Sequence, residues 1–202
     1  MIEKISPQLF VISGPNGAGK STFTPTLVPE GTLIIDPDII AGKYKDSMRA
    51  DFFIGAEKTR AMETRIDVAI ETNFLFPDEI KDYLPFKDNG YQINLIYIAL
   101  EDLKESERRV NTRYSQGGHH VGDWNRELSF TVGKENTIDS APYFDTVTVI
   151  SNSYKNQDSR LATSGKEVLV KYDDAPMWAK ELINKFEDSI KLGIQPDRGL
   201  KR

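Results

Sequence analysis

Short runs of apolar residues, each stopped by polar or glycine-rich residues, recur along the first three quarters of the chain. Such runs are typical of strands that are buried on both faces of a sheet. The pattern predicts five strands, over residues 9–13, 32–35, 68–70, 93–100 and 146–150. The fourth run, INLIYIAL, is the clearest of the five because it has eight residues and one polar side chain.

Stretches that mix polar and apolar residues lie between these runs. Their spacing predicts helices over residues 56–66, 77–88, from 102 past 114, and 176–192. Pro77 suits a first helical turn, and Asp102 with Glu105 has the spacing of a capping box. Trp124, Tyr143 and Phe144 could stack on a base, but we expect them to pack in the core.

Strands that alternate with helices indicate an α/β fold, in which a mostly parallel five-stranded sheet is flanked by helices. After residue 151 the character changes, and residues 161–163 and 167–172 predict a hairpin that turns at Ser164-Gly165. The sequence contains no internal repeat or linker. We therefore predict one domain over residues 1–192 and a flexible tail over residues 193–202.

Composition narrows the classes of function. The chain has 202 residues, a net charge of -5 and a pI near 5.2, which argues against a surface for long nucleic acids. It contains no cysteine, so disulfides, thiolate zinc sites and cysteine nucleophiles are excluded. The N-terminus lacks a signal-peptide pattern and no apolar stretch is long enough for a membrane span. These observations favour a cytoplasmic protein with a small-molecule substrate.

A phosphate-binding motif follows the first predicted strand directly. Residues 14–21 fit the pattern GxxxxGK[ST], and a stretch with helical character comes next. Glycines let backbone N–H groups wrap a phosphate, and the helix N-terminus adds the positive end of its dipole. Lys20 is expected to reach the β- and γ-phosphates, and the Ser21 hydroxyl to bind Mg²⁺. The predicted site for ATP consists of Gly14, Pro15, Asn16, Gly17, Ala18, Gly19, Lys20, Ser21 and Thr22.

This motif occurs in several functional classes, so other signals must separate them. Transporter-type ATPases also carry an LSGGQ-like signature and an apolar strand that ends Asp-Glu, whereas this chain has SQGG at 115–118 and a fourth strand followed by Glu-Asp. A small-molecule kinase is therefore favoured. Two alternatives stay open: a nucleotide-dependent ATPase or switch that acts through a protein partner, and a nucleic-acid end kinase, which the acidic balance disfavours.

Carboxylates follow the second and third predicted strands, at the edge where parallel sheets bind ligands. Asp38 is expected to act as the catalytic base toward an acceptor hydroxyl, although it could instead cap the next helix. Asp36 is expected to hold Mg²⁺ through water or to stabilise the turn. Glu71 and Thr72 are expected to bind the acceptor, or to lie near Mg²⁺.

Two arginines and a histidine complete the predicted site. Arg109 and Arg113 lie one turn apart and precede a glycine-containing loop, the layout of a lid that closes over phosphates. Arg108 competes with them if the helix register differs. His119, within that loop, is expected to contact phosphate or acceptor from the lid, unless it is an ordinary loop histidine without a role in the site.

Five segments together resemble the zeta-toxin-like P-loop kinases, including their small stand-alone members. These segments are GPNGAGKST (14–22), IDPD (35–38), IETN (70–73), RVNTRYSQGGHHVG (109–122) and SNS (151–153). The resemblance implies a sheet-centred kinase fold, Mg-ATP as donor and a sugar nucleotide, UDP-N-acetylglucosamine, as the acceptor of toxin members. Small relatives often read ETT where this chain has Glu71-Thr72-Asn73. An antitoxin-like partner is compatible with the resemblance, but no sequence feature supports it.

Overall fold

The computed structural model describes residues 6–117, 122–152, 160–164, 167–169 and 176–193. Three expectations therefore fall outside the described residues: the contacts of His119, the turn after Ser164, and the tail beyond Gly193.

Seven strands form a single sheet. They are β1 (Gln8–Ser13), β2 (Leu33–Ile35), β3 (Val68–Thr72), β4 (Gln92–Ala99), β5 (Thr146–Ser151), β6 (Arg160–Ser164) and β7 (Glu167–Leu169). Their order across the sheet is β2-β3-β1-β4-β5-β6-β7, in which β1 to β5 are parallel and β6 and β7 are antiparallel. The predicted five-stranded parallel sheet is confirmed, and the predicted hairpin extends the same sheet beyond β5.

Eight α-helices connect or cover these strands within the described residues. They are α1 (Lys20–Leu27), α2 (Pro37–Tyr44), α3 (Ser47–Thr64), α4 (Leu84–Asp88), α5 (Leu103–Ser115), α6 (Asp123–Phe130), α7 (Val132–Ser140) and α8 (Met177–Gly193). Short 3-10 helices lie at Glu79–Asp82 and Ala141–Tyr143. None of the helices in the described ranges combines the length and apolar character of a membrane span.

Apolar side chains alternate between the two faces of the central strands. In β4, Ile93, Leu95 and Tyr97 belong to the larger cluster, which packs against α3 and α8, whereas Ile96 and Ile98 face the smaller cluster beside α1. This period of two places one core layer on each side of the sheet. Burial on both faces explains why the strand reads as a continuous apolar run.

The register of the strands brings their carboxyl ends together. Ser13 at the end of β1 lies opposite Thr72 of β3 and opposite Tyr97 of β4. Because β1 lies between β3 and β4, the loop that follows it emerges at the middle of this edge. Ligand sites of parallel sheets form at such an edge.

Three local predictions were wrong. Helix α3 begins at Ser47, nine residues before the predicted start; its first turns carry apolar Met48 and Phe52 on the exposed face and Ala50 on the buried face, so the apolar positions form no single stripe. The helix predicted over residues 77–88 is instead a 3-10 turn followed by the five-residue α4. Trp124 is 70% exposed, because α6 turns Arg126 and Ser129 toward the protein.

Candidate functional site

The loop after β1 has the tight backbone that its glycines predict. Gly17 and Gly19 have positive φ angles of 78° and 93°. A Cβ atom at Gly14 would lie 2.4 Å from the carbonyl oxygen of Ile98, so β4 passes directly against this loop. Helix α1 then begins at Lys20. The loop therefore presents its backbone at a helix N-terminus, as a phosphate-binding loop requires.

Hydrogen bonds from three later elements hold this loop. The Asn16 carbonyl accepts from the Ser106 hydroxyl of α5 at 2.6 Å, and the Asn16 side chain donates to the Ser129 hydroxyl of α6 at 3.1 Å. After β5, the Asn152 side chain donates to the Ala18 carbonyl at 2.7 Å. The loop is thus fixed on both sides by side chains that are distant in sequence.

Six of the nine predicted nucleotide-binding residues line one cleft of about 460 Å³ at the carboxyl edge of the sheet. They are Asn16, Gly17, Gly19, Lys20, Ser21 and Thr22. The other three, Gly14, Pro15 and Ala18, are buried in the loop. The structure therefore brings the predicted motif to a cleft large enough for small-molecule ligands.

The ammonium group of Lys20 lies folded into the loop. Its Nζ donates to the Gly14 carbonyl at 2.8 Å, to the Pro15 carbonyl at 3.3 Å and to Asn73 Oδ1 at 2.6 Å. Burial lowers the pKa of Lys20 from 10.5 to about 8, and nearby carboxylates, Asp38 foremost, oppose this shift. The charge is therefore held in a poorly solvated place, where it interacts strongly with an anion.

The Ser21 hydroxyl lies between two carboxylates. It is 2.8 Å from Asp36 Oδ2 and 2.7 Å from Glu71 Oε2. Burial raises the pKa of Glu71, and the hydrogen bond from Ser21 opposes that shift. A hydroxyl with two carboxylates is a set of hard oxygen ligands that suits Mg²⁺. No cluster of three or more acidic or histidine side chains with metal-binding geometry occurs in the described part of the chain.

Asp38 and Asp36 have separate positions at the start of α2. Asp36 caps the helix, because its Oδ1 accepts from the backbone N–H groups of Asp38 and Ile39 at 2.9 and 3.1 Å. Asp38 lies in the first turn, where it is exposed and lines the cleft. The capping role that sequence allowed for Asp38 thus belongs to Asp36.

Thr72 contacts a carboxylate that the sequence did not point to. Its hydroxyl donates to Glu79 Oε1 and accepts from the backbone N–H of Phe74 at 2.8 Å. The Tyr83 hydroxyl donates to the same Glu79 oxygen at 2.8 Å. Burial raises the pKa of Glu79, and these two hydrogen bonds oppose the shift. Glu79 therefore lines the cleft in a fixed orientation.

The three arginines of α5 have different surroundings. Arg113 lines the cleft and influences Lys20 electrostatically. Arg109 does not line it; its guanidinium donates to Glu105 at 2.7 Å and to the Asn152 carbonyl. Arg108 is exposed and also pairs with Glu105, and the arginine hydrogen bonds, that of Arg108 foremost, lower the pKa of Glu105 to about 2. Of the three, Arg113 is the one at the cleft.

The far end of the cleft lies between α3 and the segment after β3. Asp51, Ile54 and Lys58 of α3 face Phe76, Glu79 and Asp82 across it. Lys58 Nζ lies 3.5 Å from Asp82 Oδ2, which bridges the two sides. Residues of the phosphate-binding loop line one part of the cleft, and these residues of α3 and of the segment after β3 line another. No sequence pattern predicts the part of the cleft that α3 lines, because only tertiary packing brings α3 to the cleft.

Comparisons with known proteins agree with this geometry. The Zeta toxin family model matches residues 50–166, which is more than half of the chain. An uncharacterized protein of Haemophilus influenzae is 26% identical over 116 residues, which cover 54% of this chain and 83% of that protein.

Two solved structures share the fold. A structure from the PezAT toxin–antitoxin system of Streptococcus pneumoniae has a TM-score of 0.56 and 17% identity, covering 95% of this chain and 89% of that one. The structure of AvrRxo1-ORF1 with ORF2 and ATP has a TM-score of 0.68 and 15% identity, covering 98% and 67%. At these identities the likeness concerns the fold alone. With the family match and the phosphate-binding loop, it follows that the chain belongs to the Zeta toxin family and is a P-loop kinase.

Proposed function

We propose that this protein transfers the γ-phosphoryl group of ATP to a hydroxyl of a small molecule, with a sugar nucleotide such as UDP-N-acetylglucosamine as the acceptor. One observation carries the proposal: the Ser21 hydroxyl, both its carboxylate partners and Asp38 surround a single cleft that begins at the phosphate-binding loop. A switch or ATPase needs the loop but has no use for a second ligand site with a carboxylate base.

The donor end of the cleft binds the triphosphate. Backbone N–H groups of the loop and the ammonium of Lys20 contact its phosphate oxygens. Ser21, with Asp36 and Glu71 behind it, would hold Mg²⁺, which would supply positive charge to neutralise the phosphates. Arg113 approaches from α5 and stabilises the charge on the transferring group. In this arrangement the γ-phosphorus faces the acceptor end.

Asp38 takes the proton of the acceptor hydroxyl. The hydroxyl oxygen forms a bond to the γ-phosphorus while the bond from that phosphorus to the β–γ bridging oxygen breaks, and ADP leaves. Glu79, oriented by Thr72 and Tyr83, accepts a hydrogen bond from the acceptor and fixes its position. Thr72 then acts through Glu79. The exposed ring of Phe76, at the rim of the cleft, offers a surface for a sugar or base.

The test is ADP release from Mg-ATP in the presence of a panel of sugar nucleotides, led by UDP-N-acetylglucosamine, with phosphorus NMR of the product. We expect turnover that depends on an acceptor and that Lys20→Ala and Asp38→Asn both abolish. Asp139→Asn, at an exposed position of α7 outside the cleft, is the matched control. Acceptor-independent hydrolysis as the main activity, unchanged in Asp38→Asn, would favour an ATPase or switch.

An antitoxin-like partner is a separate part of the proposal. Support comes from the PezAT neighbour, which belongs to a toxin–antitoxin system. If the kinase activity is toxic, expression of the wild-type chain in a bacterial host will arrest growth, and expression of Lys20→Ala will not. Normal growth with active enzyme would remove the reason to expect such a partner.

A further inference from the structure

Asn73 follows β3 directly, and its carboxamide contacts the lysine of the phosphate-binding loop. Its Oδ1 accepts from Lys20 Nζ at 2.6 Å, and its Nδ2 lies 3.4 Å from Asn16 Oδ1. Because an ammonium only donates hydrogen bonds, the oxygen of the amide faces the lysine. We propose that Asn73 is a positioning residue that holds the Lys20 ammonium in the loop and away from the carboxylates of the cleft.

The backbone around Asn73 is fixed by α7. A Cβ atom at Gly133 would lie 2.1 Å from the Asn73 carbonyl oxygen, so the helix packs directly against this peptide. The Asn136 side chain donates to the Phe74 carbonyl at 3.0 Å. Phe74 is fully buried with a φ of 52°, which a bulky residue adopts only where its surroundings enforce it. The backbone that carries the Asn73 amide is therefore held in place by its contacts with α7.

The charge distribution explains why a neutral partner matters. Lys20 lies in the field of Asp36 at the start of α2, of Asp38 in its first turn and of Glu71 in β3, while Arg113 of α5 opposes them. An ammonium in an ion pair with a carboxylate is partly neutralised and is turned away from the loop. A carboxamide oxygen and two backbone carbonyls are neutral acceptors, so they hold the Lys20 ammonium without cancelling its charge, which still acts on a phosphate.

Two roles for Asn73 give different results. If Asn73 only stabilises the turn after β3, its loss weakens nucleotide binding whether or not Lys20 is present. If it acts through Lys20, its loss has no further effect once the lysine is gone. A double-mutant cycle separates these cases. The inference rests on the nucleotide-binding half of the proposed function and needs no acceptor.

The experiment measures the affinity for adenylyl imidodiphosphate with Mg²⁺ by calorimetry, in titrations that extend to millimolar nucleotide. We expect Asn73→Ala to weaken binding about tenfold, the range for loss of a hydrogen bond to a charged group. Asn73→Asp should weaken it at least as much, because it pairs with the lysine. In the Lys20→Ala background, Asn73→Ala should change the affinity less than about twofold.

Asn89→Ala is the matched control, because it removes a side-chain hydrogen bond of the same type, to the Pro85 carbonyl at 2.8 Å, at a position that does not line the cleft. It should lower thermal stability and leave nucleotide affinity within about twofold of wild type. Two outcomes would overturn the inference without contradicting the proposed kinase function. One is an equal affinity for wild type and both Asn73 variants, and the other is a tenfold loss that persists in the Lys20→Ala background. A wild-type chain that binds no nucleotide would overturn it together with the proposed function.

Discussion

We predict that the protonated form of Lys20 destabilises the folded chain at neutral pH relative to its neutral form. Burial reduces its pKa from 10.5 to about 8, so the folded chain holds this proton less tightly than the unfolded chain does. One pKa unit corresponds to about 1.4 kcal/mol. The charged lysine therefore costs up to about 3 kcal/mol at neutral pH, with partial exposure of the side chain reducing the figure.

The sign of the pH dependence follows from which state binds the proton. Between about pH 8 and pH 10.5 the folded chain has released the Lys20 proton and the unfolded chain still holds it, so stability rises with pH in this window. Lys20→Met removes this contribution. We expect the free energy of unfolding of wild type, minus that of Lys20→Met, to increase by about 2 kcal/mol between neutral pH and about pH 10.

Urea denaturation with a metal chelator and without nucleotide measures this difference at several pH values. Other titrating groups contribute equally to both proteins and cancel. Lys104→Met, at an exposed position of α5, is the matched control, and its difference from wild type should stay constant with pH. A Lys20→Met difference that also stays constant, or that falls as pH rises, would refute the assignment of a buried, destabilised charge.

Three further predictions concern other parts of the fold. Gly14→Ala should destabilise the protein by at least about 2 kcal/mol in urea denaturation, because its Cβ would lie 2.4 Å from the Ile98 carbonyl, whereas Gly42→Ala, with no atom within 4 Å, should not. Asn94→Ala should cost about 1–3 kcal/mol by the same method, since it removes the hydrogen bonds of this buried side chain with the Leu9 carbonyl and the Thr146 hydroxyl; an unchanged midpoint would contradict this. Glu79→Gln should raise the acceptor KM several-fold with an unchanged ATP KM in steady-state kinetics; equal changes in both would argue against an acceptor contact.

The elements that sequence predicted well are those whose signal is local. The continuous apolar run of β4 reflects burial on both faces of the sheet. The hydrophobicity of each residue indicates this burial without reference to distant parts of the chain. The loop from Gly14 to Ser21 is equally local, because its left-handed backbone angles fall on glycines of one consecutive motif. The start of α3 was not predicted because a local signal is missing there. Its first two turns bury little, so no periodic pattern marks them.

The candidate site was predicted as a set of residues and not as an arrangement. Ser21 was expected at Mg²⁺, and Glu71 at the acceptor or near Mg²⁺, but the 2.7 Å contact between them depends on β1 and β3 being neighbours in the sheet. Arg109 and Arg113 look equivalent in sequence, and only the packing of α5 against the loop places Arg113 at the cleft.

The sequence by itself therefore determined the strands, the phosphate-binding loop and the class of chemistry, since local pattern and residue type are sufficient for these. The tertiary structure alone decided that Asn73 meets Lys20 and that Thr72 and Tyr83 orient Glu79. The physical reason is distance along the chain. Lys20 and Asn73 are 53 residues apart, and only the parallel pairing of β1 with β3 and the packing of α7 bring them within a hydrogen bond.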